Sequence, residues 1–365
     1  MPTDTAAVPD IRPLVDQVLA DALRRRASDV HFEPTAGGYD LRFRVDGLLQ
    51  IQRQLDTVSG RAAVARLMVM AKLLTYRLDV PQEGRVTFHA AQSDTGIELR
   101  LAVMPTVQGL RAAVRLPADQ LQAAVLDELD LPDPVVAGLK KFAAADSGML
   151  ILVGPAGSGK TTTIYALLSQ IVQAGAGISV IALEDPVERH LAGVTQIEVS
   201  PFGQLTYERA LRSILRQDPQ VLMLGEIRDA ATATLAVQAA LSGHRLITTL
   251  HAATCGGAIS RLLEMGIEPY QLSSSLWGIV SQRLIRRREP DGQYHGRIPL
   301  AEIVLMDGPM RKAILQHADS DTLRKIYCVQ PGFRPLADIG QALLDKGVTD
   351  QAELHRVIDV PADIE

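Results

Sequence analysis

Gly154-Pro155-Ala156-Gly157-Ser158-Gly159-Lys160-Thr161 matches the pattern G-x-x-x-x-G-K-[ST] at every fixed position. It follows Met149-Leu150-Ile151-Leu152-Val153, an apolar run of strand length. It precedes Thr162-Thr163-Ile164-Tyr165-Ala166-Leu167-Leu168, whose apolar residues fall at helical spacing. A loop between strand and helix is where such glycines let backbone N–H groups converge on a polyphosphate, with the partial positive charge of the helix N-terminus behind them. Gly154 through Thr162 are therefore the expected nucleotide-binding residues, with Lys160 reaching the outer phosphates and Thr161 placed to hold Mg²⁺. The sequence predicts binding of ATP or GTP.

A chain of 365 residues with 47% hydrophobic content has room for two folded domains. Its apolar stretches are far shorter than a membrane span, so no transmembrane segment is expected. Met1-Pro2-Thr3-Asp4-Thr5 has neither the basic nor the apolar part of a leader, and a cytoplasmic chain is expected. Cys255 and Cys328 are too few for a disulfide framework or a cysteine zinc site, so no zinc is expected. The formal charge of −5 argues against wholesale nucleic-acid binding. Arg24-Arg25-Arg26 and Arg286-Arg287-Arg288 read as solvated faces or subunit contacts.

Residues 1–10 read as a polar tail, and residues 11–117 as a mixed α/β domain. Ile11, Leu14, Val15, Val18, Leu19 and Ala22 mark a first amphipathic helix, and Val64, Leu67, Met68 and Ala71 a second. Val30 to Pro34 reads as a strand, and the alternation of Leu41, Phe43 and Val45 ends at the hairpin signal Asp46-Gly47. Three further strand-like runs carry Arg85, Arg100 and Arg115 and suggest an antiparallel meander. On spacing alone, solvent-face arginines are the plainer reading of those three. The proline-bearing segment 118–132 reads as a linker, and Asp133-Pro134 as a helix N-cap followed by proline at the first helical position.

From residue 133 to 365, strands and helices alternate before a C-terminal helical region, which predicts an α/β fold with a mostly parallel sheet. Strands are expected at Ser179 to Leu183, Val221 to Leu224 and Arg245 to Leu250, and helices at Tyr207 to Leu215 and Ala230 to Leu241. Ligands gather at the carboxyl ends of such strands. The first of these strands leads into Glu184-Asp185-Pro186-Val187-Glu188, the second into Gly225-Glu226-Ile227-Arg228-Asp229, and the third into His251. The second set departs from a Walker B strand, because Gly225 and Glu226 stand where an aspartate is usual. Glu226 is the candidate for polarising water, and the carboxylate that directly supports Mg²⁺ is unassigned. His244 and His251 fit no metal spacing, and sensing of the γ-phosphate is their candidate role.

Ala27-Ser28-Asp29-Val30-His31-Phe32-Glu33-Pro34, the phosphate loop, Leu183 to Glu188, Gly225 to Asp229, and Gly243-His244 through His251 together resemble the secretion ATPase superfamily, in its GspE/PilB branch. The resemblance implies a RecA-like C-terminal domain behind a PAS-like N-terminal one, with ATP and Mg²⁺ as ligands. It implies that Glu184 to Glu188 form an acidic "Asp box", with Glu184 supporting metal or water. Glu226 is implied to be an atypical Walker B glutamate, and His244 and His251 to belong to a "His box". It also implies that Arg85, Arg100 and Arg115 meet the nucleotide phosphates. The implied machine is a cytoplasmic homohexameric motor at the inner membrane, working with a platform protein and a cytoplasmic adaptor, without direct nucleic-acid contact.

The chain is expected to be a minimal form, lacking the extra N-terminal docking domain of larger members. The four-cysteine zinc module that many assembly ATPases carry after the segment matching Gln282 to Arg287 is absent. No retraction-type helix signature lies between Leu323 and Ile358, and Leu183 to Glu188 looks more like the assembly branch. Secretion or pilus assembly is thus the favoured reading. The alternatives are a conjugation or retraction ATPase of the same superfamily, and a nucleotide-binding regulator without turnover.

Overall fold

The computed structural model describes residues 10–89, 96–117, 125–175, 177–199 and 205–358, and the chain divides into two units, residues 1–120 and 121–365. The expected tail thus lies, up to residue 9, outside the described residues. In the first unit, α1 (Arg12–Arg24) precedes β1 (Asp29–Thr35), β2 (Gly38–Val45) and β3 (Leu48–Leu55). Next come α2 (Thr57–Met70), β4 (Gln82–Phe88), β5 (Ile97–Thr106) and β6 (Gly109–Arg115). The six strands form one antiparallel sheet in the order β3-β2-β1-β6-β5-β4. Asp46 and Gly47, at φ 48° and 84°, close the β2–β3 hairpin with both central residues left-handed, the backbone that an Asp-Gly pair tolerates best.

Period-two alternation sorts the faces of this sheet. Val30, Phe32, Leu41, Phe43, Leu99, Leu101 and Val114 form one core with Val15 and Leu19 of α1 and Val64 and Leu67 of α2. One residue along each strand, the opposite face carries charge. Arg44 pairs with Asp29, Asp29 with Arg115, Arg115 with Arg100, and Arg100 with Arg85, so that one row crosses five strands.

The second unit begins with a short 3-10 turn, Leu126–Glu128. Residues 118–124 of the expected linker lie outside the described residues, and Leu126 and Leu131 are buried against the second unit's own core. Helix α3 (Asp133–Ala143) starts one residue earlier than Asp133-Pro134 suggested. Pro132 takes the cap position with no side-chain cap bond, and Asp133 lies in the first turn, where its charge favours the helix dipole.

Then come β7 (Gly148–Val153), α4 (Lys160–Ala174), β8 (Val180–Glu184), β9 (Thr195–Glu198), α5 (Tyr207–Ile214), β10 (Val221–Leu224), α6 (Ala230–Leu241) and β11 (Arg245–Leu250). After α7 (Cys255–Glu264) and α8 (Pro269–Ser275), a long hairpin of β12 (Leu276–Arg288) and β13 (Tyr294–Leu305) precedes α9 (Gly308–Leu315), α10 (Ser320–Tyr327), α11 (Leu336–Asp345) and α12 (Gln351–Val357).

The seven strands run in the order β13-β12-β7-β11-β10-β8-β9, parallel except for the β12–β13 pair. Helices cover both faces. Met149, Ile151 and Val153 of β7 join one core with α6, α7 and α8, while Leu150 and Leu152 join another with α3 and α4. Burial on both sides explains why β7 reads as an unbroken apolar run. The β12–β13 hairpin is a feature that periodicity did not reveal, and it places β12 directly beside β7.

Candidate active site

The phosphate loop leaves β7 at Val153 and enters α4 at Lys160. Gly154, Gly157 and Gly159 take φ of 144°, 73° and 87°, backbone that side-chain-bearing residues rarely adopt. Space forbids a side chain as well. A Cβ on Gly154 would lie 2.3 Å from the Gln282 carbonyl, and one on Gly159 would lie 2.7 Å from the Gln282 amide nitrogen. Gln282, buried on β12, donates to Ser158 O at 2.9 Å and accepts from Thr163 Oγ1 at 2.9 Å, so its side chain spans the end of the loop and the first turn of α4. With Gly159 as N-cap, α4 has no side-chain cap, and its first-turn amides are left for a ligand.

Lys160 Nζ lies across the loop and donates to Gly154 O at 2.8 Å and Pro155 O at 2.9 Å. Burial, followed by the nearby Arg283 guanidinium, holds its ammonium below the ordinary lysine value. Left-handed glycines, open amides and a cation that forms no ion pair among the described residues make a donor set that fits a polyphosphate.

A cleft beside the loop is lined by Lys160, Thr161, Glu184, Asp185, Tyr207 and Glu226. These residues stand at the C-terminal ends of β8 and β10 and at the N-termini of α4 and α5, as parallel strand order requires. The Glu226 carboxylate accepts from Arg228 and lies 3.1 Å from His251 Nε2. Arg228 also reaches Asp185 at 3.4 Å. Thus three strand ends that are distant in sequence meet around one carboxylate.

Gly225 explains the departure from an ordinary Walker B strand. Its N–H donates to Leu183 O at 2.8 Å, and a Cβ there would lie 2.8 Å from the Tyr207 hydroxyl. An aspartate has no room at that position while Tyr207 occupies it. Burial of the Tyr207 hydroxyl, with Asp185 nearby, raises its pKa above the ordinary tyrosine value and keeps it protonated.

Glu184 sits differently from what its motif suggests. It is buried, one oxygen accepts from the Tyr165 hydroxyl, and the other accepts from Gln196 Nε2 at 2.9 Å. Burial is the largest influence on its carboxyl and raises its pKa. Both oxygens are therefore engaged by the protein, and the neighbouring carboxylate, Asp185, also lines the cleft and lies 3.4 Å from Arg228.

His251 follows β11 and reaches Glu226, whereas His244 precedes β11 and stands at the opposite end of that strand. There its Nδ1 lies 2.9 Å from Ala239 O and 3.0 Å from Ser242 Oγ. His244 is not brought to the phosphate loop of its own chain, because six extended residues separate it from His251. Arg85, Arg100 and Arg115 stand in register on the first unit's charged face, with Arg85 paired to Glu98 at 3.0 Å and Arg115 to Asp29 at 3.3 Å. Tyr165, Gln196, Tyr207, Gln282 and Arg283 were missed by motif reading. No spacing rule links β12 to a loop more than a hundred residues earlier.

A model of the family described as "Type II/IV secretion system protein" matches residues 4–356. The chain is 36% identical to the type II secretion system protein HxcR of Pseudomonas aeruginosa, covering 94% of this chain and 76% of that one. It is 33% identical to the type II secretion system ATPase E of Vibrio cholerae, covering 94% and 74%. Among solved structures, the pilus retraction motor PilT with bound ADP superposes with a TM-score of 0.70 at 25% identity, covering 95% of this chain and 97% of that one. With a family match across nearly its whole length and a phosphate loop, a carboxylate and a histidine gathered at one sheet end, this chain belongs to the Type II/IV secretion system protein family.

Proposed function

We propose that this chain is an ATP-hydrolysing motor that works as a homohexamer on the cytoplasmic side of the inner membrane. There it drives assembly of a pseudopilus or pilus through a platform protein and an adaptor. The reading is supported above all by the meeting of Lys160, Glu226 and His251 at one end of the second unit's sheet. Curated relatives named as type II secretion proteins support the branch. No helix among the described residues is long and apolar enough to cross a membrane.

The loop amides and Lys160 bind the β- and γ-phosphates, and the Thr161 hydroxyl is the residue that would hold Mg²⁺ beside them. The ion supplies positive charge to the phosphate oxygens when bound. Glu226 orients the attacking water and takes its proton, while Arg228 and His251 fix the carboxylate from two sides. Asp185, rather than Glu184 with its two engaged oxygens, is the acidic group that would be available to the ion. Arg85, Arg100 and Arg115 bring positive charge to the phosphates from the first unit, as the family resemblance implies.

The test is steady-state hydrolysis with purified chain, with and without the platform protein reconstituted in vesicles, alongside mass measurement with nucleotide. Turnover that depends on Lys160 and a sixfold mass are expected. A monomer that binds ATP without turnover under every condition would replace the motor with a regulator.

A further inference from the structure

Arg283 lies beside the phosphate loop and no motif assigns it a role. Its position is set by β12, which runs parallel to β7 with Ser281 opposite Val153, so that Gln282 and Arg283 continue past the strand end alongside the loop. The guanidinium approaches the loop's first glycine, since Arg283 Nη1 lies 3.0 Å from where a Gly154 Cβ would be. It is held from two sides: Nη1 donates to Gln282 O at 3.1 Å and Nη2 donates to Ala253 O at 2.6 Å. Ala253 follows His251 in the connection from β11 to α7, so Arg283 spans from the loop to the histidine strand.

An arginine carries five N–H donors, and those two bonds use two of them. Both acceptors are neutral carbonyls, and among the described residues no carboxylate lies within ion-pair distance of Arg283. At the loop it acts on another cation, Lys160, whose ammonium it disfavours, while the buried Glu302 carboxylate favours its charge from beyond ion-pair distance. Two like charges at the mouth of an anion cradle, with donors to spare, are relieved by an anion between them.

We propose that Arg283 is a second, in-cis cation of the nucleotide site, one that contacts the terminal phosphate of ATP together with Lys160. Resting on the reading of the loop as a nucleotide site, it adds a phosphate ligand from β12 and makes the β11–α7 connection responsive to whether the γ-phosphate is present. The planar guanidinium supplies directed donors, where a lysine would supply a point charge.

The experiment is calorimetric titration of the full chain with Mg²⁺ and either ADP or the ATP analogue bearing an imido β–γ bridge, for wild type, Lys160→Ala, Arg283→Gln and Arg283→Lys. Arg283→Gln is expected to weaken the triphosphate analogue at least about tenfold, the loss of one charge-assisted hydrogen bond, and ADP less than about threefold. Arg283→Lys, which keeps the charge, should fall between and serves if Arg283→Gln does not fold. Equal weakening of both nucleotides, or triphosphate binding as in wild type while Lys160→Ala is defective, overturns the assignment of Arg283. Wild-type binding by Lys160→Ala overturns the nucleotide site itself, which separates the two failures.

Discussion

Arg100 stands directly opposite Arg115 across the β5–β6 pair, on the sheet face that α1 and α2 leave uncovered. Like charges in directly opposed positions are unfavourable in a sheet, and Arg85 extends the row on the next strand. Glu98 and Asp29 offset part of this charge at its ends.

Arg100→Gln should therefore leave the first unit as stable as before or more so, because a repulsion is removed. If the row serves the nucleotide, turnover should fall at least about tenfold, well inside the range found for phosphate-directed arginines. Arg25→Gln, an exposed change on the other side of that unit's core, is the control. Unchanged ATPase rates in Arg100→Gln and in Arg115→Gln would make the row a docking face with no part in hydrolysis.

Glu226→Gln keeps the shape of the side chain and removes its charge. Nucleotide affinity should stay nearly unchanged while kcat falls about a hundredfold or more, the usual contribution of a positioned general base. Single-turnover hydrolysis and equilibrium binding, measured on the same preparation, separate the two effects. A matching loss of affinity would show that Glu226 serves the ligand's binding and leave the water unassigned.

Gly225→Ala places a Cβ 2.8 Å from the Tyr207 hydroxyl. Overpacking of this kind costs about 1–3 kcal/mol, and removal of that oxygen should return most of it. Denaturant melts of Gly225→Ala, Tyr207→Phe and the double variant form the cycle that checks it. Strict additivity of the two single changes would mean that something other than Tyr207 excludes an aspartate from this strand end.

Glu184 gives stability a pH dependence whose sign follows from burial. Its folded pKa is raised above the ordinary 4.5, so the folded state holds a proton that the unfolded state has already lost. Stability from this group is therefore present below 4.5 and is lost as pH rises from 4.5 through the folded value. Glu184→Gln, neutral throughout, should lack that loss, and its stability relative to wild type should climb over the same interval. Urea melts at several pH values on both proteins check it. Parallel curves would show that Tyr165 and Gln196 hold the carboxylate charged at all of them.

Whatever depends on neighbours along the chain was legible in the residues themselves. A glycine-rich turn with Lys160 at its end, the apolar run of a doubly buried β7, and the Asp46-Gly47 hairpin are local statements about backbone freedom and burial. Motif order placed Glu226 and His251 at strand ends, and parallel pairing then brought them together. Tertiary structure alone decided what depends on strand order and on side-chain reach. Because β12 lies beside β7, Gln282 and Arg283 sit at the loop; because α4 and α5 flank the cleft, Tyr165 and Tyr207 turn Glu184 inward and keep Gly225 bare. His244 shows the same limit from the other side. One short strand puts it and His251 at opposite ends of the sheet, because a strand's length converts a small separation in sequence into distance across the molecule.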